Sequence, residues 1–572
     1  MNRFAALLDR LAYEPRRNAK IALIAGYFRD TPDPARGLAL AALTGGLKFR
    51  HAKPGIVRAL IEERTDPVLF RMSYDYVGDL SETVALIWPA PAAGIGDDQA
   101  RLPDDHERSR DDQRRSTDDH DDGAADLSLP EIVDALANAG KAELPGLLAG
   151  LLDRLDETGR WALLKLITGG LRVGVSARLA KTAVAALGDL RPAEIEEVWH
   201  GLEPPYEPLF SWAEGRSGKP AISDPVPFRP VMLSHALEDG DFEKLDAADF
   251  AAEWKWDGIR VQAVAATGED GRHARRLYSR TGDDISRSFP DLLESLDFEG
   301  AIDGELLVVR EGRVQSFNTL QQRLNRKAVT PKMLAQYPAH LIAYDLLVDG
   351  EVDLRELPFS ERRTRLETLA DGLDRDRISL SPLVDFGTWE DLTAARADPA
   401  DHGASADADA VEGVMIKRRD SAYLAGRIKG HWWKWKRDPF NVDAVLLYAQ
   451  RGHGKRSSFY SDYTFGVWRQ GPAGEELVPV GKAYFGFTDE ELRKLDRFVR
   501  QNTINRFGPV REVTHEPESG LVLEIAFEGL ARSTRHKSGL AMRFPRIGRI
   551  RWDKRPADAD RIEALQALLK GE

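Results

Sequence analysis

The sequence predicts a multidomain protein: an all-α N-terminal part, an α+β middle with antiparallel sheets, and a small C-terminal β-barrel. Three observations lead there. Apolar residues recur at helical spacing through residues 1–215, then Pro225, Pro227 and Pro230 interrupt, and beyond them apolar and polar residues alternate as in strands. From about residue 440 the alternating runs shorten between Gly and Asp turns, which is a barrel pattern. The expected domains are therefore 1–215, 216–437 and 438–572.

In the helical part, Phe4, Leu7, Leu8 and Leu11 share one helix face, as do Leu147, Leu148, Leu151, Leu152 and Leu155. Between two such helices lies Gly169-Gly-Leu-Arg-Val-Gly-Val-Ser176, where Ser176 is a good N-cap for a helix from Ala177 to Leu187. A glycine-rich entry to a helix lets backbone amides approach a phosphate, although plain helix packing accounts for the glycines almost as well.

Zero cysteines exclude disulfides and thiolate zinc sites. No signal peptide or membrane span is legible, so a cytoplasmic protein without membrane association is expected. The net charge of -13 argues at first against a nucleic-acid partner, but it is unevenly spread. Between Asp97 and Asp126 twelve Asp/Glu stand against five Arg, a net -7. So polar a segment cannot bury enough surface to order itself and reads as a disordered insertion over 97–126. From Arg532 to Arg555 nine Lys/Arg stand against Asp553 alone, a net +8 that favours phosphates.

The chemistry centres on Glu253-Trp-Lys-Trp-Asp-Gly258, followed by Arg260. A lysine amine that attacks a nucleotide α-phosphate must first lose its proton, helped by neighbouring cations, burial or a metal. Phe250 to Trp254 read as an apolar strand, Asp257-Gly258 as a hairpin turn, and Ile259, Val261 and Ala263 as a returning strand, with Lys255 at the hairpin rim. Further strands follow. Ala301 to Val309 carries Asp303 and Glu305 on one face; His340 to Leu347 carries Tyr344, a possible stacking platform. Val411 to Lys417 has Glu412 at its start, and Trp433-Lys-Trp-Lys436 puts both lysines on one face and both tryptophans on the other. Taken singly, each is an amphipathic strand with its charges in water. Together they supply carboxylates, an aromatic ring and several cations, and Glu305 and Glu412 suit a hard cation such as Mg²⁺ shared with substrate phosphates.

These motifs resemble, in order and spacing, those of ATP-dependent DNA ligases of the three-domain type. Lys255-Trp-Asp-Gly258, Ser279-Arg280, Asp303-Gly-Glu305, Tyr344-Asp345, Glu412-Gly-Val-Met-Ile-Lys417, Trp433-Lys-Trp-Lys436 and Arg551-Trp-Asp-Lys554 carry the resemblance over nearly the whole chain. It implies a helical DNA-binding domain, an ATP-grasp-like nucleotidyltransferase core and an OB-fold domain. It also implies Lys255 as the nucleophile that becomes lysyl-AMP, with ATP as adenylyl donor, Mg²⁺ or Mn²⁺ as the metal, and nicked duplex DNA as partner of a monomer. By the same resemblance Lys434 and Lys436 contact the α-phosphate, and Arg260 and Arg280 hold ribose and phosphate groups. Lys417 and Arg427 line the pocket, Glu253 reads the adenine amine, and Glu305 reaches ribose or metal beside Glu412. Tyr344 stands where the family commonly has phenylalanine. Asp257 and Gly258 complete the nucleophile motif, while Arg551, Asp553 and Lys554 serve adenylation or DNA from the last domain. That domain is expected to turn between steps about a hinge at Arg437 to Pro439.

An RNA ligase or an mRNA-capping guanylyltransferase shares the core, but capping needs no helical N-terminal domain. A non-catalytic nucleic-acid clamp is a further alternative, weakened by the presence of Lys255, Glu305, Glu412 and Lys434. An NAD-dependent ligase is disfavoured because that class carries a four-cysteine zinc module.

Overall fold

The fold, a computed structural model, describes residues 1–77, 79–89, 127–221, 224–238, 240–324, 326, 328–451, 459–472, 474–534 and 536–569. The acidic segment 97–126 and Arg535 lie outside the described residues. The chain forms two compact units, Met1–Ala221 and Ile222–Glu572.

The first unit is all-helical among its described residues. The helix Asn2–Tyr13 buries Phe4, Leu7, Leu8 and Leu11, and Leu144–Arg154 buries Leu148, Leu151 and Leu152. Gly169, at φ +81°, ends the helix Glu157–Thr168, and the Ser176 hydroxyl accepts from the Leu179 amide to start Ala177–Ala185. That helix stops two residues before the expected Leu187. Among the described residues no helix is long and apolar enough to cross a membrane.

The second unit holds two facing β-sheets and, after them, a curled third sheet. The five-stranded sheet runs in the order Leu383–Val384, Phe250–Trp256, Val411–Arg418, Trp432–Lys436, His235–Ala236. The seven-stranded sheet has Ile378–Leu380, Ala339–Asp349, Gly300–Arg310, Ile259–Thr267 and His273–Ser279 as its main path.

The expected hairpin at Asp257-Gly258 is not formed. Phe250–Trp256 pairs with Leu383–Val384 and Val411–Arg418, whereas Ile259–Thr267 pairs with His273–Ser279 and Gly300–Arg310. Asp257-Gly258 is instead the crossing from one sheet to the other. The Asp257 amide donates to the Ala410 carbonyl at 2.8 Å, which turns the chain away from a tight reversal. Gly258 is required by close approach: a Cβ there would lie 2.6 Å from the Leu306 carbonyl oxygen and 2.8 Å from Glu305 Cγ.

Residues Arg437 to Pro439 connect Trp432–Lys436 to Phe440–Arg451, the long central strand of the curled sheet. That strand pairs with Tyr460–Gly471, Val510–Val513 and Val522–Phe527, and Val522–Phe527 pairs in turn with Arg546–Arg551. The result is an antiparallel half-barrel around Val442, Leu446, Phe465, Leu523, Ile525 and Phe527, with the helix Asp489–Gln501 packed on it.

Candidate active site

A cavity of about 520 Å³ opens between the two facing sheets. Period-two alternation decides which side chains enter it. On Trp432–Lys436, Lys434 and Lys436 line the cavity, while Trp433 and Trp435 pack behind with Phe250 and Phe242. Glu253 and Lys255 project from Phe250–Trp256, and Glu412 and Lys417 from Val411–Arg418. The opposite wall supplies Arg260, Glu305 and Tyr344, with Arg280 just beyond His273–Ser279 and Arg427 from a short strand parallel to Met232–Leu233. Asp257 and Gly258 lie at the crossing between the walls.

Two bulges aim the carboxylates. The register between Val411–Arg418 and Phe250–Trp256 slips between Val411 and Val414, where Gly413 takes φ +139° against the backbone of Trp435 and Lys436. Glu412 lies in that slip, and its Oε1 accepts from Lys255 Nζ. A second slip between Asp303 and Gly304 precedes Glu305.

The electrostatics follow. Burial works against charge on Glu412, but Lys255 and Lys436, the latter at 3.1 Å, outweigh it and hold the carboxyl below the usual range. Among the described residues Glu305 has no such direct pair. Burial pushes it up to about 8 although Lys255 and Arg260 pull the other way. Lys434 is pushed below the usual lysine range by burial, with Arg427, Lys255 and Lys436 acting in the same direction.

At the deep end Glu253 is 2% exposed and shared between Lys417 Nζ at 2.5 Å and Arg363 at 2.9 Å. Lys417 Nζ lies 4.6 Å from the ring centroids of both Tyr344 and Trp432. The Tyr344 hydroxyl donates to Asp303 at 3.2 Å, which supplies the partner that a tyrosine needs in place of phenylalanine. Asp303 also receives Arg260 at 2.5 Å and the Tyr423 hydroxyl at 2.6 Å, so it orients Arg260 from behind.

Thirteen of the residues singled out in the sequence thus converge on one cavity: Lys255, Glu253, Arg260, Arg280, Glu305, Tyr344, Lys417, Arg427, Lys434, Lys436, Glu412, Asp257 and Gly258. Arg551, Asp553 and Lys554 do not line it. Arg551 and Lys554 share Asp443 on the half-barrel, and Asp553 pairs with Arg551. Sequence reading missed Arg543, which lines the cavity, pairs with Asp257 and lies 4.5 Å from the Phe317 ring centroid. It also missed Arg363, Tyr423 and Glu528, whose carboxylate reaches Lys436 at 3.3 Å. Only Arg543 left a signal, as a member of the basic run.

Among the described residues no group of three or more His, Cys, Asp or Glu is poised around a metal. Glu305 and Glu412 are nevertheless close enough for the charge on Glu412 to raise Glu305, and both line the cavity. Two carboxylates with room for phosphate oxygens fit a hard divalent cation.

A model of the ATP dependent DNA ligase domain matches residues 231–436, and a model of the ATP dependent DNA ligase C terminal region matches 456–554. A probable DNA ligase of Koribacter versatilis is 31% identical over 100% of this chain and 97% of its own length. DNA ligase 1 of Korarchaeum cryptofilum is 32% identical over 77% of this chain and 79% of its own. A solved chain described as Pmar-Lig_PreS3 covers 96% of this chain and 99% of itself with a TM-score of 0.53 at 14% identity, a likeness of fold.

Proposed function

Because this chain belongs to the ATP-dependent DNA ligases, we propose that it seals nicks in duplex DNA through an AMP carried on Lys255. The observation that carries this reading is the meeting of the Lys255 amine with Glu412 in a cavity walled by Lys434, Lys436, Arg260 and Arg280.

In the first transfer Lys255 Nζ bonds to the α-phosphorus of ATP as the bond to pyrophosphate breaks. Glu412 Oε1, already facing Nζ, is the nearest acceptor for the amine proton. In the second, an oxygen of the DNA 5′-phosphate displaces Lys255 from the AMP phosphorus, and the lysine takes back a proton. In the third, the 3′-hydroxyl oxygen attacks the 5′-phosphorus, loses its proton, and AMP departs. Each transfer develops charge on equatorial oxygens, so Lys434, Lys436 and Arg260 act by position and charge. Tyr344 offers its ring to adenine, while Arg363 and Lys417 hold Glu253 at the base end. Glu305 and Glu412 would hold Mg²⁺ or Mn²⁺, whose charge neutralises phosphate oxygens. The helical unit and the basic run from Arg532 bind the DNA backbone, so binding falls steeply with salt despite the net charge of -13.

Incubation with α-labelled ATP and Mg²⁺, followed by peptide mapping, tests the reading. Label at Lys255, none in Lys255→Ala, and sealing of nicked DNA over nicked RNA are expected. An unlabelled parent, or label retained after Lys255→Ala, overturns it.

A further inference from the structure

We propose that Glu528 is a positioning residue whose carboxylate competes with the nucleotide phosphates for Lys436, so that ATP entry and docking of the half-barrel on the cavity oppose each other. The inference rests on the reaction proposed above. Glu528 lies on the half-barrel between Val522–Phe527 and Gly529–Arg532, and its amide donates to the Arg543 carbonyl at 2.9 Å. Gly529 is in turn the strand partner of Arg543. The backbone therefore holds an acid and a base close together, and the two reach different groups of the cavity. Arg543 pairs with Asp257, while Glu528 Oε2 meets Lys436 Nζ at 3.3 Å.

Lys436 is thus divided between two carboxylates. Glu412 Oε2 holds it at 3.1 Å from within the five-stranded sheet, and Glu528 holds it from the half-barrel. Burial works against the ammonium, yet the two acids outweigh it and keep Lys436 above the ordinary lysine range. A phosphate that needs the full charge of this cation must take the place of one of them. Glu412 cannot withdraw: it precedes Gly413, the strand partner of Lys436, and its other oxygen accepts from Lys255. Glu528 can, because it belongs to the half-barrel and its Oε1 keeps Arg546 at 2.9 Å when Lys436 is given up. Neither acid is left buried and unpaired by that exchange.

Nucleotide phosphate and half-barrel are then rival ligands of one cation, and by linkage each weakens the hold of the other. With Glu528 on Lys436 the half-barrel has two charged contacts with the cavity; with phosphate on Lys436 only Arg543 and Asp257 remain of the two.

The test uses the full chain and follows labelling of Lys255 as a function of ATP concentration. Glu528→Gln keeps size and removes the charge, and folding is checked by melting temperature. Its ATP KM is expected to fall by about threefold, the size suited to a partly exposed ion pair. The labelling rate at saturating ATP should stay within about twofold of the parent. In a Lys436→Gln background, which itself labels more slowly, adding Glu528→Gln should leave the KM where it was, because the contact is already gone. Glu516→Gln removes the same charge from an exposed position on the half-barrel and should leave the KM at the parent value. An unchanged or raised KM in Glu528→Gln overturns the proposal, as does a fall of the same size in Glu516→Gln or one that persists without Lys436. A saturating rate reduced beyond that range in Glu528→Gln also overturns it, since Glu528 would then serve the transfer itself. Failure of the parent to label Lys255 would instead count against the proposed reaction.

Discussion

Lys255 and Glu412, 157 residues apart in the chain, meet as an ion pair because their strands are antiparallel neighbours and the bulge at Gly413 turns Glu412 toward the amine. Glu412 also holds Lys436, so a single carboxylate sets both the nucleophile and a phosphate-binding cation. Glu412→Gln is expected to slow adenylation at saturating ATP by about 10²-fold while changing ATP affinity only a few-fold. Single-turnover labelling and equilibrium binding measure the two quantities separately. A parent-like rate at saturating Mg²⁺ would sink the assignment.

Glu305 makes stability depend on pH. Its folded value of about 8 lies above the ordinary 4.5, so the folded state holds a proton that the unfolded state has released between those values. The burial penalty on the carboxylate is absent below pH 4.5 and complete above pH 8, so stability falls as pH rises through that window. The loss approaches about 1.4 kcal/mol per pH unit in mid-window. Glu305→Gln removes the titration, and its denaturation midpoint should fall less than the parent's between pH 5.5 and 8. Parallel curves would refute the account. The same proton must leave when a divalent cation binds, so Mg²⁺ should tighten with rising pH in the parent alone.

The Tyr344 hydroxyl is one of several donors on Asp303. Tyr344→Phe keeps the ring and removes that hydrogen bond, while Arg260 and Tyr423 still satisfy the carboxylate. A stability loss of about 1 kcal/mol and an adenylation rate within about threefold of the parent are expected. A large rise in the ATP KM would show that the hydroxyl itself contacts the nucleotide.

How far the sequence could be read depended on the range of the interactions. Strand alternation is local, so Lys434 and Lys436 were separable from Trp433 and Trp435, and the cavity receives those two lysines. Helical periodicity is local too, and Phe4, Leu7, Leu8 and Leu11 are buried together. The pairing of strands is not. Asp257-Gly258 has hairpin chemistry, yet the partners of Phe250–Trp256 come from residues beyond 380, and that long-range pairing prevails. Arg363 shows the same limit. It sits in the charged helix Phe359–Ala370 and is buried with its guanidinium on Glu253, 110 residues earlier in the chain.

Gly258 turns the crossing between the sheets into a specific test. The missing Cβ leaves room for the Leu306 carbonyl, Leu307 and Glu305 Cγ, all within 2.8 Å of where it would stand. The carbonyl is backbone in the interior of a paired strand and cannot swing aside, so Gly258→Ala must displace the crossing itself. Lys255 lies three residues before that point, and Glu305 is one of the groups displaced. A shift of about 1 Å between nucleophile and phosphate costs on the order of 10²-fold in rate. Gly258→Ala should therefore lose about that much adenylation, together with about 1–3 kcal/mol of stability. Gly312, at φ +73° with open space around its missing Cβ, serves as control: Gly312→Ala should cost stability through backbone strain but leave the rate unchanged. Equal effects of the two substitutions on labelling would show that the crossing does not set the position of Lys255.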